Sequence, residues 1–284
     1  MITPNMKTYA IGVGTTGAKA LEAVKAKELP EMQVLQLPTH PQTDQAPKLQ
    51  TASADFEANL LKSDENVLMY VLQLSDIAVL LDMLNSIERS MVKAFQTAIV
   101  VVPEHTEQHL CNEMLQPLVQ KINSVILLTE PAVETTSHLS VSEALEEMLV
   151  SLYYIINGKQ IEVNVDFEDL KFVLTTSKAA SVGVAEAKGK NRATEVVHKA
   201  LSLPFFSPDR APQSKKVLMN ISSGDEATLE MDELTEITEN IQEYFGDDAE
   251  IIFGHGSDVL LKDKIRLAIV AALDLTDIGV AEKV

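Results

Sequence analysis

The residues whose types and spacing first suggest chemistry are the glycine turn GVGTTG, Gly12 to Gly17, and two histidines four apart, His105 and His109. The turn lies between an apolar run, KTYAIGV, and a helical pattern, GAKALEAVKAKEL. Glycines there let the backbone reverse tightly, and amides at the start of the helix can face a phosphate. The spacing also matches G-x-G-x-x-G, the dinucleotide fingerprint, which needs an acid at the end of the second strand to hold a ribose hydroxyl. Gln36, Leu37, Pro38 and Thr39 stand at that place, and no arginine offers the alternative for a ribose phosphate, so a dinucleotide site is not expected. No Lys followed by Ser or Thr completes a Walker-type loop after Gly17. A phosphate loop and a plain strand-to-helix connection both remain open for these six residues. His105 and His109 sit in H-x-E-x-H, not H-E-x-x-H, and no third ligand accompanies them, so a solvated helix without metal is expected. Cys111 falls on a different helical face from His109 and reads as a lone, partly buried thiol.

The elements that must position these groups follow from periodicity. KTYAIGV, MQVLQL, VLMYVL, TAIVVV and SVILL read as strands, nearly continuous in apolar residues as strands covered on both faces are. Helical patterns fill the gaps, which is the rhythm of βαβ units on a parallel sheet. Leu37 to Gln50, rich in Pro and Gln, reads as an irregular loop leading into a helix over Ala54 to Lys62. Ser140 to Asn157 carries Leu145, Met148, Leu149, Leu152 and Ile156 at helical spacing and predicts a long buried helix, with Ser142 as its N-cap. A different pattern follows it. Helices are predicted over Asp166–Thr176, Asn191–Leu201 and Met231–Phe245, with strands near Ser181–Ala185, Lys216–Ser222 and two more at the end, giving a mixed sheet with helices on one side.

The composition narrows the function classes. A chain of 284 residues, 46% apolar, fills one large or two smaller cores, since single cores stop growing near about 250 to 300 residues. With 42 acids against 23 bases the formal charge is −19, which repels polyanions and argues against nucleic acid as a partner. A lone cysteine cannot form an internal disulfide, and MITPNMK has no basic segment leading into an apolar run, so the cytoplasm is the expected location. The longest apolar stretches fall short of the roughly 18 residues that cross a bilayer, so no direct membrane insertion is expected. Acid runs such as DELTEITE read as solvated faces.

The second half carries a resemblance. VNVDFEDLKFVL from Val163, VGVAEAKGKNRATEVVHKALSLP from Val182, then KVLMNISSG and AEIIFGH, occur in one order and closely resemble the matching stretch of FtsZ, the bacterial cell-division family. The glycine turn and the long helix before Val163 fall where that family has its first nucleotide loop and its central helix. The resemblance runs over nearly the whole chain, strongly from about Asn164 to Leu273 and in outline before that. It implies an α/β FtsZ/tubulin-like fold: a Rossmann-like parallel-sheet GTP-binding domain over residues 1–139, a central helix over 140–158, and an α+β C-terminal activation domain with a mixed sheet over 159–284.

In that family the loop after the central helix of one subunit completes the nucleotide site of the next. The N-x-D-x-x-D pattern is present as Asn164, Asp166 and Asp169. By resemblance the two aspartates polarise water and Asn164 shapes the loop, since carboxylates can orient a water by hydrogen bonding. Equally, Asp166 and Asp169 can be acids in the first turn of a helix, stabilised by its dipole. The resemblance further implies GTP or GDP as cofactor, bound through Gly12, Gly14, Thr15, Thr16 and Gly17, with no metal cluster.

Other parts of the family's site are missing. Its G-G-G-T-G-T-G loop has no counterpart; after VLMYVL comes QLSDIAVLLDML, where Ile77, Val79, Leu80 and Leu81 would set bulky groups in place of bare backbone. The N-T-D segment appears as Pro38, Thr39 and His40, the loop beyond it shortens to TASADF, EHTEQHLC holds no arginine, and the guanine-stacking aromatic falls near Ser142. No acidic linker follows the fold before DIGVAEKV, so the adaptor-binding tail is not expected. These features imply a divergent cytoskeletal protein whose GTP pocket is degenerate, with weak or no hydrolysis. Such a protein is expected to associate longitudinally with itself or with an FtsZ-type protein and to cap or modulate its filaments. The alternative is an active polymerising GTPase with an unusual pocket.

Overall fold

The computed structural model describes residues 6–27, 29, 32–37, 64, 66–85, 93–103, 106–129, 140–157, 165–202 and 216–273. The predicted strands form β1 (Lys7–Val13), β2 (Met32–Leu37), β3 (Asn66–Gln73), β4 (Phe95–Val102) and β5 (Ser124–Thr129). They pair in parallel, in the order β2-β1-β3-β4-β5. Every residue of β4 is buried, as is β3 up to Leu72, which is why these segments are apolar without alternation. Between the strands lie α1 (Gly14–Lys25), α2 (Ile77–Asn85) and α3 (Gln108–Val119). Gly17, Ala20, Leu21 and Val24 give α1 a buried face at helical spacing. The predicted helix over Ala54–Lys62, and the segment after Leu37, lie outside the described residues.

The long helix is α4 (Val141–Ile156). Its N-cap is Ser140, not the expected Ser142: Glu143 N–H donates to Ser140 Oγ at 3.3 Å, and Ser140 N–H donates to Glu143 Oε2 at 2.8 Å. Glu143 stands three residues after Ser140, and this reciprocal pairing decides between the two serines. Leu145, Met148, Leu149, Leu152 and Ile156 are buried as predicted.

The second half contains α5 (Phe167–Thr176), β6 (Ala179–Lys188), α6 (Arg192–Leu201), β7 (Lys216–Ser223), α7 (Met231–Phe245), β8 (Glu250–Ser257) and β9 (Lys264–Leu273). These strands continue the same sheet, which has nine strands in the order β2-β1-β3-β4-β5-β6-β9-β7-β8. The join is narrow, since β5 and β6 share only the pairs Val125↔Ala179 and Ile126↔Ala180. β9 then runs antiparallel to both β6 and β7, and the sheet becomes mixed as predicted. The helices are not all on one side, however. Phe167, Leu170, Val173 and Leu174 of α5 join the core that extends through the first half, whereas α6 and α7 cover a second core on the opposite face. Alternating apolar residues along β9 require this, because each face of the strand then needs a cover.

Candidate functional site

β1 lies between β2 and β3, so the first crossover carries the chain to one neighbour of β1 and the second carries it back past β1 to the other. In open parallel sheets ligands bind in the crevice that such a switch leaves beyond the carboxyl ends of the strands. Here those ends bring together the glycine turn at the end of β1, Gln36 near the end of β2, and Gln73 at the end of β3 with Asp76 just after it.

The glycines are explained by close approach. A Cβ on Gly17 would collide with the Val71 carbonyl oxygen and lie 2.9 Å from Gly12 Cα, so its absence lets α1 pack directly on β1 and β3. Gly14 adopts φ +73°, a conformation that side chains other than glycine rarely take. Gln36 Nε2 donates to the carbonyls of Gly14 and Leu37, both at 3.2 Å, which ties β2 to the turn. Thr16 Oγ1 donates to Gln73 Oε1 at 3.3 Å, while Thr15 is exposed. The turn residues expected around a phosphate are thus together, but their polar partners are protein amides.

The segment after β3 differs from expectation in an informative way. It forms a short 3-10 turn, Leu74–Asp76, and runs directly into α2. Ile77 and Leu80 are buried, and Val79 and Leu81 pack against the core, so the hydrocarbon groups turn inward and do not fill the crevice. The Asp76 carboxylate lies over the turn instead: a Cβ on Gly14 would collide with it. A carboxylate against the turn does not fit a bound phosphate, because like charges would meet there. Asp76 was legible only as part of QLSDIAV, and the signal that marks it is an acid where a glycine loop is missing.

Asp166 and Asp169 lie elsewhere, at the start of α5. Asp166 is its N-cap, and Asp166 Oδ1 accepts from Glu168 N–H at 2.9 Å and from Asp169 N–H at 3.1 Å. Asp169 Oδ2 in turn accepts from Asp166 N–H at 3.0 Å. Both are half-buried, and these bonds use Oδ1 of Asp166 and Oδ2 of Asp169. Asn164 lies outside the described residues, as does His105. His109 is exposed and pairs with Glu113 at 3.3 Å. Burial pushes the half-buried Cys111 thiol up. Among the described residues no group of three or more His, Cys, Asp or Glu side chains could hold a metal ion, and no helix is long and apolar enough to cross a membrane.

A second concavity of about 440 Å³ opens between the end of α1, the start of α4 and the strands of the second half. Its charges are largely paired. Lys27 meets Glu146 at 3.0 Å, while Glu186 receives Lys264 at 2.8 Å and Arg266 at 2.7 Å. Burial opposes the ionisation of Glu186, but the hydrogen bond from Lys264 and the charge and hydrogen bond of Arg266 together hold it below its ordinary value. Glu147 is pushed up, first by burial and then by repulsion from Glu186. A raised carboxyl disfavours folding once ionised, and acid relieves that penalty. Glu147→Gln should therefore raise Tm slightly at pH 7 to 8, and the gap to the native chain should close as pH falls through the folded Glu147 value. A gap that stays constant across thermal melts from pH 4 to pH 8 would contradict this.

Comparison with known proteins connects both halves. Residues 178–274 match the FtsZ family, C-terminal domain. The cell division protein FtsZ of Magnetospirillum gryphiswaldense is 35% identical over 109 residues, 38% of this chain and 19% of that protein. The mitochondrial division protein fszA of Dictyostelium discoideum is 29% identical over 183 residues, 61% of this chain and 35% of that protein. The matches therefore span well under half the length of these relatives. Among solved structures, an FtsZ dimer from M. jannaschii superposes with a TM-score of 0.72 at 18% identity, covering 96% of this chain and 91% of that one. The chain has the FtsZ/tubulin fold, and residues 178–274 are similar to the C-terminal domain of the FtsZ family.

Proposed function

We propose that this chain of FtsZ/tubulin fold is a structural or regulatory cytoskeletal subunit with a degenerate GTP pocket, which joins FtsZ-type filaments at one end and caps or modulates them. The observation that carries this reading is the asymmetry of its two ends. The start of α5, with Asp166 and Asp169 in place, is well formed, while β3 runs straight into a helix where a second phosphate-binding loop would be needed. A subunit built this way offers its activating face to a neighbour's nucleotide but has no complete pocket for the next subunit to close.

Asn164, Asp166 and Asp169 are the residues assigned to the activating loop, and Gly12, Gly14, Thr15, Thr16 and Gly17 to the vestigial nucleotide loop. The boundaries near residues 140 and 158 divide the two functions. The aspartates also cap a helix, so a useful variant must separate the two roles. Asn caps helices about as well as Asp but carries no charge. Asp166→Asn should fold with stability within about 0.5 kcal/mol of the native chain, yet lose its effect on the GTP turnover of a partner FtsZ. The native chain, added below equimolar ratio, should shorten FtsZ filaments as followed by sedimentation and light scattering. Unchanged filament length and turnover at equimolar protein would refute the proposal.

A further inference from the structure

We infer that the Asp76 carboxylate takes, within the chain, the place of a phosphate on the glycine turn, so that the turn is held in its ligand-bound shape with no ligand. The inference rests on the degenerate-pocket reading above and assigns a cause to it: the first loop has been closed by the protein's own anion.

Three observations meet at this point. First, α1 lacks an anion of its own. Its N-cap is Val13, which offers no side-chain hydrogen bond, and its first turn contains no acid. The positive end of a 12-residue helix is thus left for another element to neutralise. Second, the three heavy atoms nearest to a Cβ built on Gly14 are Oδ2, Cγ and Oδ1 of Asp76. The carboxylate therefore stands directly against the first residue of the helix, 62 positions away in sequence. Third, Asp76 is fixed by its surroundings: Leu74 two residues before it and Ile77 directly after it are buried, and the 3-10 turn continues without a break into α2. An aspartate on a mobile loop could swing away from an arriving phosphate. One anchored between two core residues resists that displacement.

The turn is therefore a switch element fixed in one position. Nucleotide exchange cannot reset it, and the loop around Gly12 to Gly17 keeps the same shape whether or not GTP is present. The latent anion site remains beneath the carboxylate and should reappear when the carboxylate is removed.

The test uses the full chain and two variants, Asp76→Ala and Asp76→Asn, titrated calorimetrically with inorganic pyrophosphate and with GDP, and followed in parallel by thermal melting. The native chain should bind neither more tightly than about 1 mM. Asp76→Ala should melt at lower temperature without ligand, bind pyrophosphate at least about tenfold more tightly than the native chain, and regain melting temperature as pyrophosphate is added. Asp76→Asn, which keeps the shape but not the charge, should fall between them, and it provides the readout if the alanine variant does not fold. A folded variant, with native circular dichroism, that responds to neither pyrophosphate nor GDP overturns the carboxylate inference and leaves the degenerate-pocket reading intact. Tight GDP binding by the native chain overturns the pocket reading itself.

Discussion

Arg192→Ala should destabilise the chain by about 3–5 kcal/mol. The Arg192 side chain is only 6% exposed. Its Nε and Nη2 donate to the two carboxylate oxygens of Glu233 at 2.6 and 2.7 Å. The remaining donors reach the carbonyls of Ala227 at 2.9 Å, Asp263 at 3.1 Å and Thr228 at 2.9 Å. One guanidinium thus ties the start of α6 to the start of α7 and to the turn before β9. Truncation leaves a poorly solvated carboxylate and three carbonyls without this partner, each with its own desolvation cost. Arg192→Lys should recover only part of the loss, because a single ammonium cannot span a bidentate carboxylate and three carbonyls. The hydrogen bond from Arg192 also holds the Glu233 carboxyl below its ordinary value. Its contribution is therefore present above the usual carboxylate range and is lost as pH falls through the lowered value. Urea unfolding at pH 7 and pH 4 checks both parts, and an Arg192→Ala midpoint close to native at pH 7 would contradict the assignment.

Gly17→Ala should cost about 3 kcal/mol, far more than the exchange costs at an ordinary helical position, where alanine is the better helix former. The added methyl would press on the Val71 carbonyl and on Gly12, and both are main chain. Neither can rotate aside, so α1 must lift from β3 and open the crevice at the switch point. A lowered urea midpoint with unchanged slope is the expected signature. A neutral or stabilising result would show that α1 does not pack against β3 as closely as described.

Much of the fold was legible because burial left a direct trace in residue type. Apolar runs such as VLMYVL and TAIVVV mark strands covered on both faces, and the stop at Phe245 before Gly246 marks the end of α7. Errors arose where two candidates shared a chemistry or where orientation mattered. Ser140 and Ser142 are both competent caps, and only the spacing to Glu143 separates them. Along Ile77 to Leu81 the bulk of the side chains is visible in the sequence, but the direction in which the helix turns them is not, nor is the position of Asp76 just before them. Its relation to Gly14 is long-range and has no periodic signature. The cover provided by α5 on the second face of β7 and β9 was missed for the same reason. Asp166 and Asp169 could be located from the motif and from helix-start chemistry alike, and the structure shows them capping α5.

Ile265, Leu267, Ile269 and Ala271 of β9 serve one core, while Ala268, Val270 and Ala272 between them serve the other. Sliding that strand by a single step would swap the contents of both compartments at once, so no intermediate alignment is tolerable. The two halves are consequently locked like tumblers on one bolt. A fragment trimmed to the region beyond residue 178 would carry a naked oily stripe where α5 had lain, and would seek another surface to hide it.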